Sequence, residues 1–181
     1  MSIRVAVEAD LAAIARIHVV TWQTCYRGIM PDEFLDRLSV RAREETWGKL
    51  VQAAAQRLLV CEAKGEAVGF AACGPTRDSD KDPAIVGELY AIYVLPNHWG
   101  QGCGHLLKES VEHELVRSKF KEMTLWVLEA NARARCFYAR EGFVVDPSAS
   151  QQAAVGGSKL PEVRYWKALS GPRNPTKTRD I

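Results

Sequence analysis

The chain predicts an α/β (α+β) domain. Three observations carry that expectation: strand-like and helix-like segments alternate along most of its length, one strand runs through a glycine cluster into a helix, and a short charged turn joins two apolar runs into a hairpin. Its 181 residues suit one domain, expected over residues 1–170, with 171–181 a disordered tail. Hydrophobic residues at 47% and charged residues at 25% fit a soluble protein with a folded core.

Residues 3–7 alternate as a strand. Asp10 then stands where a cap opens a helix with Leu11, Ile14, Ile17 and Thr21 at helical spacing. Pro31 is placed to start a second helix carrying Phe34, Leu35 and Leu38, and a third is expected over 40–55. Residues 57–63 and 67–74 form the hairpin around Lys64, Gly65 and Glu66, followed by a polar loop over 75–83. A long strand is expected over 85–95, with Gly87 marking a bulge. Beyond the glycines, Cys103, Leu107, Val111 and Leu115 share a helix face, and 123–128 returns as a strand. Asn131 can cap a helix that buries Ala134, Phe137 and Tyr138 and stops at Gly142. Residues 143–146 and 163–166 supply two last strands, and the Ser, Gln, Ala and Gly between them predict a long mobile loop over 147–161. The sum is seven strands and four or five helices.

Lys and Arg number 24 against 22 Asp and Glu, and the tail holds the whole excess, so the body is neutral. A basic nucleic-acid face is therefore not expected. No apolar run is long enough to span a membrane, and Arg4, Glu8, Asp10 and Arg16 break any signal-peptide core, which predicts a cytoplasmic protein. Five widely spaced cysteines and four scattered histidines make no zinc pattern, so no metal is expected. A thiolate nucleophile at Cys103 or Cys136 lacks a histidine partner, and His98 reads as a surface residue.

The segment WGQGCG (99–104) between strand and helix gathers free backbone N–H groups at a helix N-terminus, a ready site for phosphate. The dinucleotide fingerprint fails, because its third glycine falls on His105 or Leu107. The P-loop fails too, since His105 and Leu106 follow Gly104. A glycine-rich helix entry without a ligand stays open on the loop alone.

Taken with ELYAIYVLP (88–96) before it and LWVLEANARARCFYAREGF (125–143) after it, the loop resembles the GCN5-related N-acetyltransferase (GNAT) superfamily, as a small bacterial-type member. The likeness is strongest over 85–144 and continues more weakly over 3–74. It implies a twisted, mostly antiparallel mixed sheet whose central strands splay to admit coenzyme A, and an acetyl group passed from acetyl-CoA to a primary amine through a tetrahedral intermediate. The implied cofactor-binding positions are Ile92, Tyr93, Val94, Trp99, Gly100, Gln101, Gly102, Cys103, Gly104, Asn131, Arg135 and Tyr138. The family loop reads Q/R-x-x-G-x-G/A, and Trp99 departs from its first position while Gly102 and Gly104 keep theirs. Backbone phosphate donors survive that change; Trp99 packs on the cofactor or covers the loop.

Acyl transfer needs a neutral amine, a stabilised oxyanion and a protonated thiol. An ammonium with a pKa of about 10.4 must lose its proton at neutral pH. The resemblance gives that role to Glu88, as base or organiser of a water, against the alternative of a solvent-facing strand start. It gives Tyr138 the donation of a proton to the departing sulfur, against an ordinary core tyrosine, and a backbone N–H near Val94 the oxyanion. Asn131 bonds the pantetheine arm, caps its helix, or does both. The segment WQTCYRGIMP (22–31) resembles an acceptor-lining loop, which makes Trp22 and Tyr26, with Glu88, the substrate-binding candidates; a staple between helices and sheet is the competing reading. The acceptor is expected to be a small-molecule amine, with no nucleic acid or membrane partner and a homodimer left open. An acyl-CoA-binding regulatory module and a protein or peptide N-acetyltransferase are the alternatives.

Overall fold

The computed structural model describes residues 1–51 and 56–169. Seven strands form one sheet: β1 (Ser2–Val5), β2 (Arg57–Ala63), β3 (Glu66–Pro75), β4 (Val86–Val94), β5 (Glu122–Leu128), β6 (Val144–Val155) and β7 (Ser158–Ala168). Their order is β1-β2-β3-β4-β5-β7-β6, and every neighbouring pair is antiparallel except β4 and β5. The described helices are α1 (Leu11–Cys25), α2 (Asp32–Asp36), α3 (Val40–Val51), α4 (Cys103–Arg117) and α5 (Ala132–Arg140). None is long and apolar enough to cross a membrane. Residues 52–55, expected to extend the third helix, and the expected tail lie outside the described residues.

Lys64 (φ +53°) and Gly65 (φ +81°) make the two-residue turn between β2 and β3, the left-handed pair that matches strand twist. β2 reads as a continuous apolar run because helices cover both its faces. Leu59 and Cys61 join Leu107, Val111 and Leu115 of α4 in one core, while Leu58 and Val60 meet Ile14, Ile17 and Trp47 from α1 and α3 in the other.

β4 and β5 pair over three positions only, Val86 with Glu122, Gly87 with Met123 and Glu88 with Thr124, and then separate. β5 gives its other edge to β7 over its full length, so the separation opens a groove bordered by the second halves of β4 and β5. The bulge in β4 falls at Tyr90, the unpaired residue between Leu89 and Ala91, and not at Gly87 as expected. Gly87 is instead required by packing: a Cβ there would lie 2.7 Å from Leu115 Cδ2.

Two further expectations are corrected. Asp10 does not cap α1; its carboxylate accepts from the Val7 N–H at 2.8 Å and pairs with Arg4 at 2.6 Å, and that guanidinium holds it below the usual carboxylate range. The mobile loop expected over 147–161 is a hairpin, with β6 and β7 paired from Ser150–Val163 to Val155–Ser158 around Gly156 (φ +57°) and Gly157 (φ +81°). Its tip docks on α2 so closely that a Cβ on Gly156 would sit 2.7 Å from Phe34 Cβ. Ala153, Val155 and Leu160 pack with Met30, Leu35 and Leu128, so long-range apolar contact overrides a loop-like composition.

Candidate active site

One cleft of about 1070 Å³ runs along the splay from the glycine loop to the tip of the β6–β7 hairpin. At its first end Gly100 (φ +75°) and Gly102 (φ +88°) hold left-handed conformations that favour glycine, and a Cβ at either would meet nothing within 4 Å. Gly102 is the cap residue of α4, so the first amides of that helix carry no intrahelical partner and add the dipole's positive end. Open space above bare backbone at a helix N-terminus fits a diphosphate. His98 lines the same wall, half-buried rather than on the surface, and its buried Nδ1 has no partner among the described residues.

Trp99 donates its indole N–H to the Val94 carbonyl at 2.6 Å and carries the Arg133 guanidinium on its ring at 3.6 Å. The side chain in the departing position thus ties the loop to β4 and to α5. Val94 and Ile92 direct their backbone groups away from β3, because Leu95 N–H bonds Val68 and alternate residues of an antiparallel ladder face opposite edges. Their N–H groups therefore border the splay, and with Tyr93 they line the cleft.

Asn131 caps α5 by accepting from the Ala134 N–H at 3.1 Å; its amide N–H₂ has no partner among the described residues, and the residue lines the cleft. Three expected cofactor positions behave differently. The Gln101 side chain turns back to donate to the Asn97 carbonyl at 2.9 Å. Cys103 is buried in the core, where burial and the Cys61 thiol push its own thiol up, the reverse of a helix-entry thiolate. Arg135 points to the Tyr165 hydroxyl at 3.2 Å and the Glu129 carbonyl at 3.1 Å. None of these three side chains lines the cleft, which leaves Gln101 and Cys103 only their amides to offer.

Tyr138 does line it, packed edge-on between Phe137 and Phe143 at 5.4 and 5.7 Å. Burial pushes its phenol up, so the hydroxyl stays protonated at neutral pH, and it has no hydrogen-bond partner among the described residues. Tyr93 and Tyr26 stand nearby, and burial raises both phenols as well. Trp22 meets Tyr26 edge-on at 5.2 Å, and both line the cleft with Met30. They are a staple, packed on α2 and the hairpin through Phe34, and the same two rings face the cleft. Beneath them His18 accepts from Trp47 Nε1 at 3.1 Å and is pushed down to about 3, chiefly by burial and then by Arg43, which keeps it neutral.

Glu88 occupies the last paired position of β4, where the strands begin to part. It lines the cleft, yet its side chain is only 2% exposed, not open to the groove as its strand position suggested. Arg77 seals it: the Arg77 N–H donates to Glu88 at 2.9 Å, Nε to both oxygens at 3.2 Å, and Nη2 at 2.5 Å. The Arg77 guanidinium lies over the Tyr90 ring at 4.4 Å. The loop bearing it is pinned by buried Arg164, which pairs with Asp78, Asp80 and Asp146 at 3.1, 2.7 and 2.9 Å, and by Trp126, whose Nε1 donates to Asp78 at 2.8 Å. Sequence reasoning missed Arg77, Tyr90, Trp126, Arg133 and the β6–β7 wall; the adjacent Gly156 and Gly157 were the one local signal for the last. Among the described residues no group of three or more His, Cys, Asp or Glu side chains assembles a metal site.

Residues 13–143 match the acetyltransferase (GNAT) family. The chain is 31% identical over 171 residues to the uncharacterized N-acetyltransferase YuaI of Bacillus subtilis, covering 94% of this chain and 95% of that one. It is 30% identical over 162 residues to the L-amino acid N-acyltransferase MnaT of Escherichia coli, covering 88% and 89%. The structure of yncA from Salmonella typhimurium, solved with its cofactor acetyl-CoA, superposes with a TM-score of 0.71 at 26% identity over 98% of this chain and 99% of that one.

Proposed function

The chain is an N-acetyltransferase of the GNAT family, and we propose that it moves an acetyl group from acetyl-CoA to the primary amine of a small molecule. The observation that carries this reading is one continuous cleft joining a bare-backbone anion cradle to a buried, protonated phenol, unpartnered among the described residues, and to a carboxylate where the splay begins. Acetyl-CoA supplies the activated acyl thioester.

The amides of residues 100–104 hold its diphosphate, with Arg133 above them on Trp99. The outward N–H groups of Ile92 and Val94 and the free amide of Asn131 bind the peptide-like arm, and one of the two strand amides faces the acyl oxygen. Tyr138 protonates the departing sulfur. Arg77 covers Glu88 against direct contact with the amine, so the amine proton reaches this carboxylate through a small water that donates to a lone pair Arg77 leaves open. Trp22, Tyr26 and the hairpin wall exclude bulk solvent from the acceptor. The docked hairpin tip closes the open end of the groove, which favours a small molecule over an extended peptide. An amino acid acylated by the relative MnaT is an acceptor of that size.

Thiol release from acetyl-CoA over a panel of amines tests the reading. Release that depends on the added amine is expected. Saturable binding of CoA with no release from any amine would instead make the chain a CoA-responsive regulatory module.

A further inference from the structure

The group that an incoming acceptor meets beside Glu88 is a guanidinium. The Glu88 carboxylate is sealed, whereas the Arg77 side chain is 63% exposed and lines the cleft. Only one edge of the Arg77 fork is used: Nε and Nη2 serve Glu88, and Nη1 has no partner among the described residues. A guanidinium with a free edge is built to take a second oxyanion in the same planar geometry.

Its support is rigid. The guanidinium lies over the Tyr90 ring at 4.4 Å, and that residue's own hydroxyl is fixed to the Pro75 carbonyl at 2.5 Å. Thr76 N–H bonds the Val86 carbonyl at 2.9 Å just before Arg77, and Asp78 just after it is held by Trp126 and Arg164. Arg164 is buried, and its bonds to Asp80 at 2.7 Å and Asp146 at 2.9 Å fasten the loop to β6 and β7. Side chains ordered before the ligand arrives lose less entropy on binding it. Arg77 and Glu88 thus present a fixed positive and a fixed negative charge side by side in a cleft that the rings of Trp22, Tyr26, Tyr90 and Trp126 also line, with Glu162 and Gln151 contributed by the hairpin.

We propose that Arg77 is the anion anchor of the acceptor site, and that the acceptor is an amine bearing a carboxylate a few bonds from its nitrogen, with an apolar or aromatic remainder. This rests on the acetyltransferase reading and narrows its substrate class. The free Nη1/Nη2 edge takes the acceptor's carboxylate. The adjoining ammonium then lies on the Glu88 side, turned toward the thioester, while the apolar remainder meets the rings. Glu88 serves twice, aiming the guanidinium and drawing the proton.

Matched acceptors test it on the full chain: L-phenylalanine, its carboxamide, and 2-phenylethylamine, which keep the amine and the ring while altering or deleting the carboxylate. A charge-assisted pair of this kind predicts kcat/KM roughly 10- to 100-fold higher for the acid than for either analogue. Arg77→Lys keeps a cation against Glu88 but has no second fork edge, and should bring that ratio toward one. Equal kcat/KM for all three in the wild type, or an unchanged ratio in Arg77→Lys, overturns the anchor. Calorimetry of N-acetyl-L-phenylalanine and its amide against the CoA-saturated protein asks the same question without turnover. If no amine releases thiol, the acetyltransferase reading fails by itself: tighter binding of the acid still upholds the anchor, and equal or absent binding of both overturns it.

Discussion

The two ends of the cleft are made of different material. The glycine-loop end is backbone: left-handed Gly100 and Gly102, the first amides of α4 and the outward edge of β4 present N–H groups whose placement follows from local chain geometry. The other end, which we propose as the acceptor end, is side chain, assembled from α1, the loop after β3, the middle of β4, β5 and the tip of the β6–β7 hairpin. A backbone device accepts almost any side chain at its non-glycine positions, so Trp99 can stand where the family has Gln or Arg. A side-chain device changes ligand with each substitution, which is how one fold serves many acceptors.

Breaking the backbone end should give the largest effect. Gly102→Val places a β-branched residue at φ +88° and a Cβ in the space a phosphate needs; calorimetry should show CoA affinity reduced about 100-fold or more, with the melting temperature checked in parallel. Gly104 is a milder site, since its φ is ordinary and its Cβ would meet the Phe137 ring at 3.4 Å. Tyr138→Phe separates chemistry from binding: kcat should fall by roughly 100-fold with CoA affinity kept, because the hydroxyl acts mainly in the transition state.

His18 probes the support of the acceptor end. Its folded pKa of about 3 lies below the free value of 6.5, so the unfolded chain takes up the proton first. The stability this gives is whole above pH 6.5 and is lost as pH falls toward 3. At pH 5 the loss is about 2 kcal/mol, and chemical denaturation at pH 7 and pH 5 should show a smaller difference for His18→Gln than for wild type.

Two changes at the acceptor end sharpen the comparison further. Glu88→Gln should lower kcat/KM about tenfold at neutral pH and less at alkaline pH, where the amine sheds its own proton; parallel pH profiles for variant and wild type would remove Glu88 from proton transfer. Gly156→Ala forces the hairpin tip off Phe34 and should raise KM for the amine a few-fold while calorimetry finds CoA binding unaltered.

The same division decides what the amino-acid sequence reveals. The glycine loop and the Asn131 cap are legible because each depends on neighbours within one strand–loop–helix unit, whereas Glu88 and Tyr138 are singled out by the family resemblance alone. Arg77 is not, because what makes it an anchor is the clamp behind it, and Arg164 bonds Asp78 across 86 residues of chain. The β6–β7 hairpin failed for a related reason: a run of Ser, Gln and Ala looks like a loop until Met30, Phe34 and Leu35, distant in sequence, pack against Ala153, Val155 and Leu160. Gly87 misled in the opposite sense, since its small size answers Leu115 of α4 rather than a bulge. The strand count needed none of this, because alternation and turn residues are local.

The most direct test of the division is a two-step nuclear magnetic resonance titration of the ¹⁵N-labelled protein. On adding CoA, the account predicts the largest amide shifts at Gly100, Gly102, Cys103 and Gly104 with the Arg77 side-chain Nε–H signal unmoved, and movement of that signal only when an amino acid is added to the complex. Shifts centred away from residues 100–104 on the first addition, or an Arg77 signal that answers to CoA and not to the amino acid, would contradict it.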